Sequence, residues 1–521
     1  MNTIDFLNIA VSICPERDFM VFEKERLTYE QANERINKMA QVLTGLGVDK
    51  ETRVGMLSVN GPQYIETYFA AAKTGAIFVP LNFRARADEL TYMINRAEVK
   101  VLFIGKRYIE EVREILLNLP GLETCISIDG PEDGMLNYED LISEASEEEY
   151  FGEIDDADTT ILMFTSGTTG RPKAVPLTHE SFSSYILSNV EPADPETEEK
   201  NILTVPLYHV AGIQGVLAAV YGGRTLILMR QFEVKEWLET VQREKVNRAM
   251  LVPTMIKQLI DFPDFNQFDL SSLKIITYGA AAMPFEVIKR AIAAFPGVSF
   301  INAFGQTETG STIATLGPED HDLSGTEEEK AKKLKRLASS IGRPLPDVEV
   351  RIIDEQGNES PPLVTGEIVA RGPRIMSGYW QDAEKTAKAF TPDGWLRTSD
   401  MGYMDEDGYI YLSGRADDLI IRGGENISPR EVEEVLVIHP KVGDAAVIGI
   451  PSEEWGQEPR ALVVLNEGET ASEEEIIEFT RTRLASFKRP RSVVFVDSLP
   501  RSALGKLSRK KLLEEYGETS N

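Results

Sequence analysis

The chain has 521 residues, a length that suggests about three domains, and 42% of them are apolar, enough to bury more than one core. Asp and Glu outnumber Lys and Arg by 84 to 55, a net charge of −29, which argues against a broad nucleic-acid-binding face. Any anionic ligand must then meet a local basic cluster, and one lies near the C-terminus. Only Cys14 and Cys125 are present, so no disulfide framework is expected, and with four histidines no zinc site of recognisable spacing can be drawn.

The N-terminal "MNTIDFLNIAVSICPERDFMVF" has no Lys or Arg before its short apolar run and makes a poor signal peptide. No run approaches the ~20 apolar residues needed to span a bilayer. A cytoplasmic protein without an integral membrane segment is expected. "LTYEQANERINKMAQVLTGLG" repeats apolar residues every three or four positions and stops at glycine, a helix. "TRVGMLSV", "VKVLFIG", "TLILM" and "LKIITYG" read as short buried strands. Strands spaced by helices from about 25 to 320 imply an α/β fold with parallel sheets and crossover helices, here two αβ subdomains. "GTEEEKAKKLKRLAS" (325–339) mixes both charge signs and reads as an exposed helix.

Beyond it the pattern turns to β-hairpins. "EVRIIDEQGNESPP" and "GYMDEDGYIYLSGR" place Gly357 and Gly408 in turns, with Asp405, Glu406 and Asp407 as plain turn acids. A β-subdomain of about 340–413 therefore completes a large domain, 1–415. A small α+β domain follows over 416–521. In it "ISPREVEEVL" carries Ser428 as N-cap, Pro429 at the first helical position and Glu431 closing a capping box.

The stretch with the clearest chemistry is "TSGTTGRPK", 165–173, entered by the strand "TTILMF". Gly167 and Gly170 let the backbone turn N–H groups inward, Thr165, Ser166, Thr168 and Thr169 add hydroxyl donors, and Lys173 can neutralise outer phosphates. It is not a Walker loop. From Gly167, the second glycine position holds Pro172, which has no N–H, and the Ser/Thr position holds Ala174, which has no hydroxyl for magnesium.

The nonamer resembles the phosphate loop of the adenylate-forming superfamily, which comprises acyl-CoA synthetases, peptide-synthetase adenylation domains and firefly-type luciferases. Four further motifs stand in the family's order. "PLYHVAG" (206–212) implies an aromatic–His pair at the acyl pocket, His209 with Val210, Ala211 and Gly212 as an apolar wall. "YGAAAMP" and "INAFGQTETG" imply that Ala280, Ala281, Ala282 and Phe304 enclose the adenine. They also imply Thr307 on the α-phosphate and Glu308 as ligand of Mg²⁺, a hard cation suited to a carboxylate. "WLRTSDMGYMDEDGYIYLSGRADD" implies Asp400 on the ribose hydroxyls, Arg415 beside ribose and phosphate, and Asp417 as the hinge of a mobile small domain. "LPRSALGKLSRKKL" implies Lys506 as the catalytic lysine, its ammonium offsetting charge between carboxylate and α-phosphate. Arg509, Lys510 and Lys511 are expected to form an exposed basic helix end.

Within the superfamily the residues resemble an acyl- or aryl-CoA ligase using ATP, Mg²⁺ and CoA. "IIRGGENISPREVE" implies a pantetheine tunnel with Gly423 and Gly424 leaving room for a thin chain. Trp455, Phe487 and Arg489, with Arg84 from the large domain, are implied as contacts to the CoA nucleotide. A peptide-synthetase domain would be followed by a carrier module, and the sequence stops at Asn521. It would also want an acid for the substrate ammonium, while the stretch around His209 is uncharged. Luciferase activity would be a narrow outlier. The small residues at 210–212 and 280–282 permit a pocket for a medium-chain fatty or aromatic or alicyclic acid, favoured over acetate. A carrier protein as acyl acceptor, a non-catalytic acyl-nucleotide sensor, and the choice of monomer or homodimer stay open at this point.

Overall fold

The computed structural model describes residues 1–146, 148–165, 171–415, 418–423, 425–452, 454–501 and 507–517. Two parallel sheets form the large domain. The first runs, edge to edge, Leu136–Asn137, Thr124–Ser127, Val101–Ile104, Arg53–Leu57, Ile77–Pro80, Thr159–Thr165 and Lys173–Thr178. All pairs are parallel except the last, whose antiparallel ladder sets Thr165 opposite Lys173.

The second sheet is parallel through Thr225–Leu228, Lys200–Leu203, Arg248–Leu251, Ile275–Gly279 and Ser299–Gln306. Its outer edge is an N-terminal hairpin. Asp18–Phe22 lies parallel to Thr225–Leu228, and Glu25–Thr28 pairs antiparallel beyond it. The helix Tyr29–Gly45 then starts on a capping box in which the Thr28 hydroxyl accepts from the Gln31 N–H and the Gln31 side chain accepts from the Thr28 N–H. Its apolar face, Ala32, Ile36, Met39, Ala40 and Leu43, is buried.

The hairpin region expected at 340–413 is antiparallel: Glu349–Ile353, Gly366–Arg371, Leu396–Met404 and Ile410–Arg415 follow in order. It is not a separate sheet. Ser340–Pro344 pairs with Ile410–Arg415 on one side and Ser311–Leu316 on the other, so one hydrogen-bonded ladder runs from the parallel sheet into the hairpins. The turns at Gly357 and Gly408 both have positive φ, as their sequence demands. The helix Glu327–Ser339 buries only Leu337 along its length, the exposed helix its charges indicate.

The small domain has its own core around Ile420, Val432, Leu436, Val447, Ala461 and Ile476. Its sheet runs Glu425–Ile427, Ile420–Arg422, Gly456–Leu465 and Val442–Ser452, with Ser492–Phe495 parallel to Gly456–Leu465. Ser428 caps the helix Pro429–Leu436 as expected, its hydroxyl accepting from the Glu431 N–H. The Glu431 carboxylate does not complete a capping box. It pairs with Lys488 at 2.7 Å, a full cation outcompeting a neutral backbone donor. Arg509 also departs from expectation. It is half-buried between Asp418 and Glu433, while Lys510 and Lys511 are exposed. Among the described residues no helix is long and apolar enough to cross a membrane, and no cluster of His, Cys, Asp and Glu could hold a metal by itself.

Candidate active site

Ser166, Gly167, Thr168, Thr169 and Gly170 of the phosphate loop, the hinge Asp417, Gly424 and the lysine Lys506 lie outside the described residues. The rest of the predicted set can be placed. Thr165 ends its strand half-buried, and Lys173 begins the return strand. The Lys173 ammonium stands 4.8 Å from the centre of the Tyr379 ring. The Tyr379 hydroxyl donates to Glu308 Oε1 at 3.1 Å. Burial, and then the Glu308 charge, push the Tyr379 phenol well above its ordinary range, so it stays protonated and remains a donor. Two backbone bonds fasten the same segment: Met376 N–H to the Glu308 carbonyl at 3.0 Å and Trp380 N–H to the Ala174 carbonyl at 2.9 Å. One short stretch, 376–380, thus holds the Lys173 strand and the Glu308 turn together.

Glu308 sits in the turn Thr307–Thr309 at the end of the strand Ser299–Gln306, and Thr307 opens that turn half-buried. A carboxylate steadied through one oxygen by a phenol is a hard oxygen ligand that would fit Mg²⁺ once phosphate oxygens and water complete the shell. Gln306 reaches the other way. Its side-chain amide donates to the Thr398 carbonyl at 3.0 Å and lies 3.4 Å from Asp400 Oδ2. Asp400 and Arg415 are register partners on neighbouring strands, with Oδ1 and Nε 3.4 Å apart. Phe304 is half-buried on the strand leading to these groups. Ala280 follows the strand Ile275–Gly279 with φ +66°, a left-handed conformation that costs an alanine roughly 1–2 kcal/mol. Ala281 is half-buried and Ala282 exposed.

Of the residues expected at an acyl pocket, His209 precedes the helix Val210–Tyr221 and its ring packs 4.1 Å from that of Tyr208. Phe83 meets Tyr208 edge-on at 5.1 Å, and the Arg84 guanidinium lies 5.6 Å from the Phe83 ring. Burial pushes the Tyr208 phenol up to about 12 while the Arg84 charge pulls it back. Arg84 is therefore a neighbour of the Tyr208–His209 pair. The predicted wall is only partly formed. Val210 packs into the main core, and Gly212 faces the turn before it, where a Cβ would come within 2.6 Å of the Pro206 carbonyl oxygen. Close backbone approach, not room for a ligand, explains that glycine. Ala211 stays half-exposed.

In the small domain the space over Gly423 is taken by Trp455. Gly423 has φ +58°, its N–H donates to the Trp455 carbonyl, and a Cβ would meet the indole Cε3 at 2.7 Å. The Arg422 guanidinium caps the same ring at 4.8 Å. Phe487 packs against the small-domain core, and Arg489 Nε donates to the Leu484 carbonyl at 3.0 Å.

Sequence reasoning did not single out Tyr379 or Gln306. Gln306 adjoins Thr307 in a motif already recognised, and Tyr379 follows Gly378 in "MSGYW", a stretch with no charged residue to draw notice.

A family model of AMP-binding enzymes matches residues 9–380, and a model of the AMP-binding enzyme C-terminal domain matches residues 431–506. The chain belongs to the AMP-binding enzyme family. It is similar to the indoleacetate–CoA ligase of Aromatoleum aromaticum, with 31% identity over 98% of this chain and 97% of that one. It is also similar to the fatty acid–[acyl-carrier-protein] ligase ScoC of Streptomyces coeruleorubidus, with 30% identity over 96% of this chain and 94% of that one. The crystal structure of ATP-bound MatB from Rhodopseudomonas palustris superimposes with a TM-score of 0.87 at 27% identity, covering 99% of each chain. The resemblance drawn from "TSGTTGRPK" and four later motifs thus extends over nearly the whole molecule, as does the division into a large α/β domain and a small C-terminal one.

Proposed function

We propose that this family member is an AMP-forming acyl-CoA synthetase of a medium-chain fatty or aromatic or alicyclic acid. The observation that carries the reading is the meeting of Lys173 and Glu308 on Tyr379, across from the Asp400–Arg415 pair. One end of that arrangement suits a triphosphate and the other a ribose.

In the first step a substrate carboxylate oxygen bonds to the α-phosphorus of ATP, the bond to the bridging oxygen breaks, and pyrophosphate leaves. Glu308 would hold Mg²⁺, which when bound would neutralise charge on the phosphates. Lys173 draws the departing phosphates, Thr307 hydrogen-bonds the α-phosphate, and Lys506 offsets the charge where carboxylate and phosphate meet. Asp400 and Arg415 hold the ribose, and Ala280, Ala281, Ala282 and Phe304 border the adenine. His209 and Tyr208 border the acyl group. In the second step the small domain turns about Asp417, Lys506 withdraws, and the CoA sulfur bonds to the acyl carbon while the acyl–phosphate bond breaks to release AMP. Gly423 and Gly424, with Trp455, Phe487 and Arg489, are assigned to CoA. A cytoplasmic enzyme needing neither nucleic acid nor membrane suits these small-molecule substrates.

A carrier protein as acceptor is the second reading, favoured by the likeness to ScoC. The deciding experiment supplies ATP with acetate, octanoate, benzoate or phenylacetate and scores CoA-dependent AMP release and thioester. Acyl-AMP that forms but is not discharged by free CoA would sink the CoA-ligase reading. Replacing Lys506 by alanine is expected to slow adenylation about 10²–10³-fold.

A further inference from the structure

Residues on either side of 502–506 make fixed contacts. Before it, the Arg501 guanidinium pairs with Asp444, with contacts at 2.8 and 2.9 Å. Arg501 and Leu507 form an antiparallel bridge, and the Ser508 N–H donates to the Pro500 carbonyl. After it comes Arg509, the first residue of the helix Arg509–Tyr516, three positions past the lysine. Its Nη1 lies 3.4 Å from Asp418 Oδ2, and its Nη2 lies 2.5 Å from Glu433 Oε1.

These two acids occupy informative places. Asp418 is the residue after Asp417, the hinge of the proposed mechanism. Glu433 stands on the helix Pro429–Leu436 and also accepts the Val447 N–H at 2.8 Å, which ties it to the sheet of the small domain. All three side chains are less than a quarter exposed, so solvent screens them less than an ordinary surface pair. The charge of Asp418 and burial both act against an ionised Glu433, and Arg509 counters them. Without the guanidinium, two carboxylates would face each other beside the hinge. The helix itself has another anchor, because Leu512 is 1% exposed in the small-domain core.

We propose that Arg509 is a positioning residue for adenylation: it pins the chain three positions past Lys506 to Asp418 and Glu433. Two points of attachment on one guanidinium fix direction as well as distance, which a lysine could not do. The inference rests on the assignment of Lys506 to the first half-reaction.

The test separates the two half-reactions in the full chain, using whichever acid of the panel above turns over fastest, together with its synthetic acyl-AMP. Carboxylate-dependent ATP–pyrophosphate exchange reads adenylation, and thioester formation from acyl-AMP and CoA reads the second step. Arg509→Met is expected to lose about 10- to 100-fold in exchange, the scale of a misplaced catalytic group, and less than about threefold in thioester formation. Asp418→Asn, which keeps Arg509 and Glu433, is expected to shift the same ratio in the same direction by less. Exchange at the wild-type rate in Arg509→Met, or equal losses in both half-reactions, would overturn the inference. If Arg509→Met does not fold, Asp418→Asn decides alone by the same ratio. Lys506→Ala is run beside them. Normal exchange in that variant would remove the parent reading and this one with it, whereas a loss there with none at Arg509 removes only this one.

Discussion

Arg374 and Arg415 each face an aspartate in the large domain, in opposite settings. Arg374 meets Asp347 at 2.8 Å with its side chain wholly buried, whereas Arg415 stands 3.4 Å from Asp400 with 42% of its side chain exposed. The buried pair is also incompletely satisfied. Arg374 Nε and Nη1 and Asp347 Oδ2 lack hydrogen-bond partners among the described residues, and burial pulls the guanidinium pKa down against the pull of Asp347. The Arg374 carbonyl packs under Gly310, just behind the Glu308 turn. The lesson is a division of labour. The pair sealed behind the Glu308 turn holds shape, whereas the looser pair leaves polar atoms exposed, as the proposed ribose contact requires.

The sharpest way to break this contrast is Asp347→Ala. It leaves a buried guanidinium unpaired and is expected to cost about 3–5 kcal/mol, read as a lowered urea midpoint with unchanged slope. A loss below about 1 kcal/mol would mean that Arg374 escapes to water and that the pair is not a strut.

A second buried group sharpens the same point through pH. His179 is almost wholly buried, and its Nδ1 accepts the Thr3 N–H at 3.3 Å and lies 2.9 Å from the Thr3 hydroxyl, so the ring is neutral there. Burial draws its pKa from 6.5 down to about 4. The unfolded chain therefore takes up the proton first as pH falls. The contribution is whole above about pH 6.5 and drains away towards pH 4. From pH 7 to pH 5 this one group accounts for about 2 kcal/mol of lost stability. His179→Asn, which keeps an acceptor for Thr3, is expected to flatten that part of the profile in urea titrations at pH 7, 6 and 5. An unchanged slope would show that the imidazole is reached by water.

The smallest expected effect on stability belongs to the front pair. Asp400→Asn should change folding free energy by less than about 1 kcal/mol, as half-exposed pairs usually do. Its ATP affinity by calorimetry should nonetheless fall about 10- to 100-fold, the worth of hydrogen bonds to a charged acceptor. A destabilisation as large as that of Asp347→Ala would erase the distinction between the two pairs.

Much of this was readable from sequence where the information is local. The helix Tyr29–Gly45, the solvated helix Glu327–Ser339 and the strand leading into "TSGTTGRPK" each announce themselves within two dozen residues. The resemblance drew attention to Asp400 and Arg415, and the structure pairs them across one hairpin. Groups defined by partners far away were misread or passed over. Arg509 beside Lys510 and Lys511 looks like a solvated run, because nothing local betrays that Glu433 lies 76 positions back. Glu431 fits a capping box by spacing, yet Lys488, 57 positions on, takes its carboxylate. Tyr379 carries no charge, and its importance comes from Lys173 and Glu308 arriving from two other elements.

The N-terminal hairpin has a bearing on how the molecule is made. Asp18–Phe22 completes its pairing only against Thr225–Leu228, and the Thr225 hydroxyl donates to the Asp18 carbonyl across 207 positions of sequence. On a ribosome adding about 5–20 residues per second, that partner arrives roughly 10–40 s after the strand itself. Until then Phe19, Met20, Val21 and Phe22, all buried in the finished protein, have no sheet to join. A strand of this kind is a waiting edge, open to other chains as well as its own. The speed of translation through the first αβ unit, and the chaperones that guard the nascent chain, thus bear on yield in a way that a single charge change near the nucleotide would not.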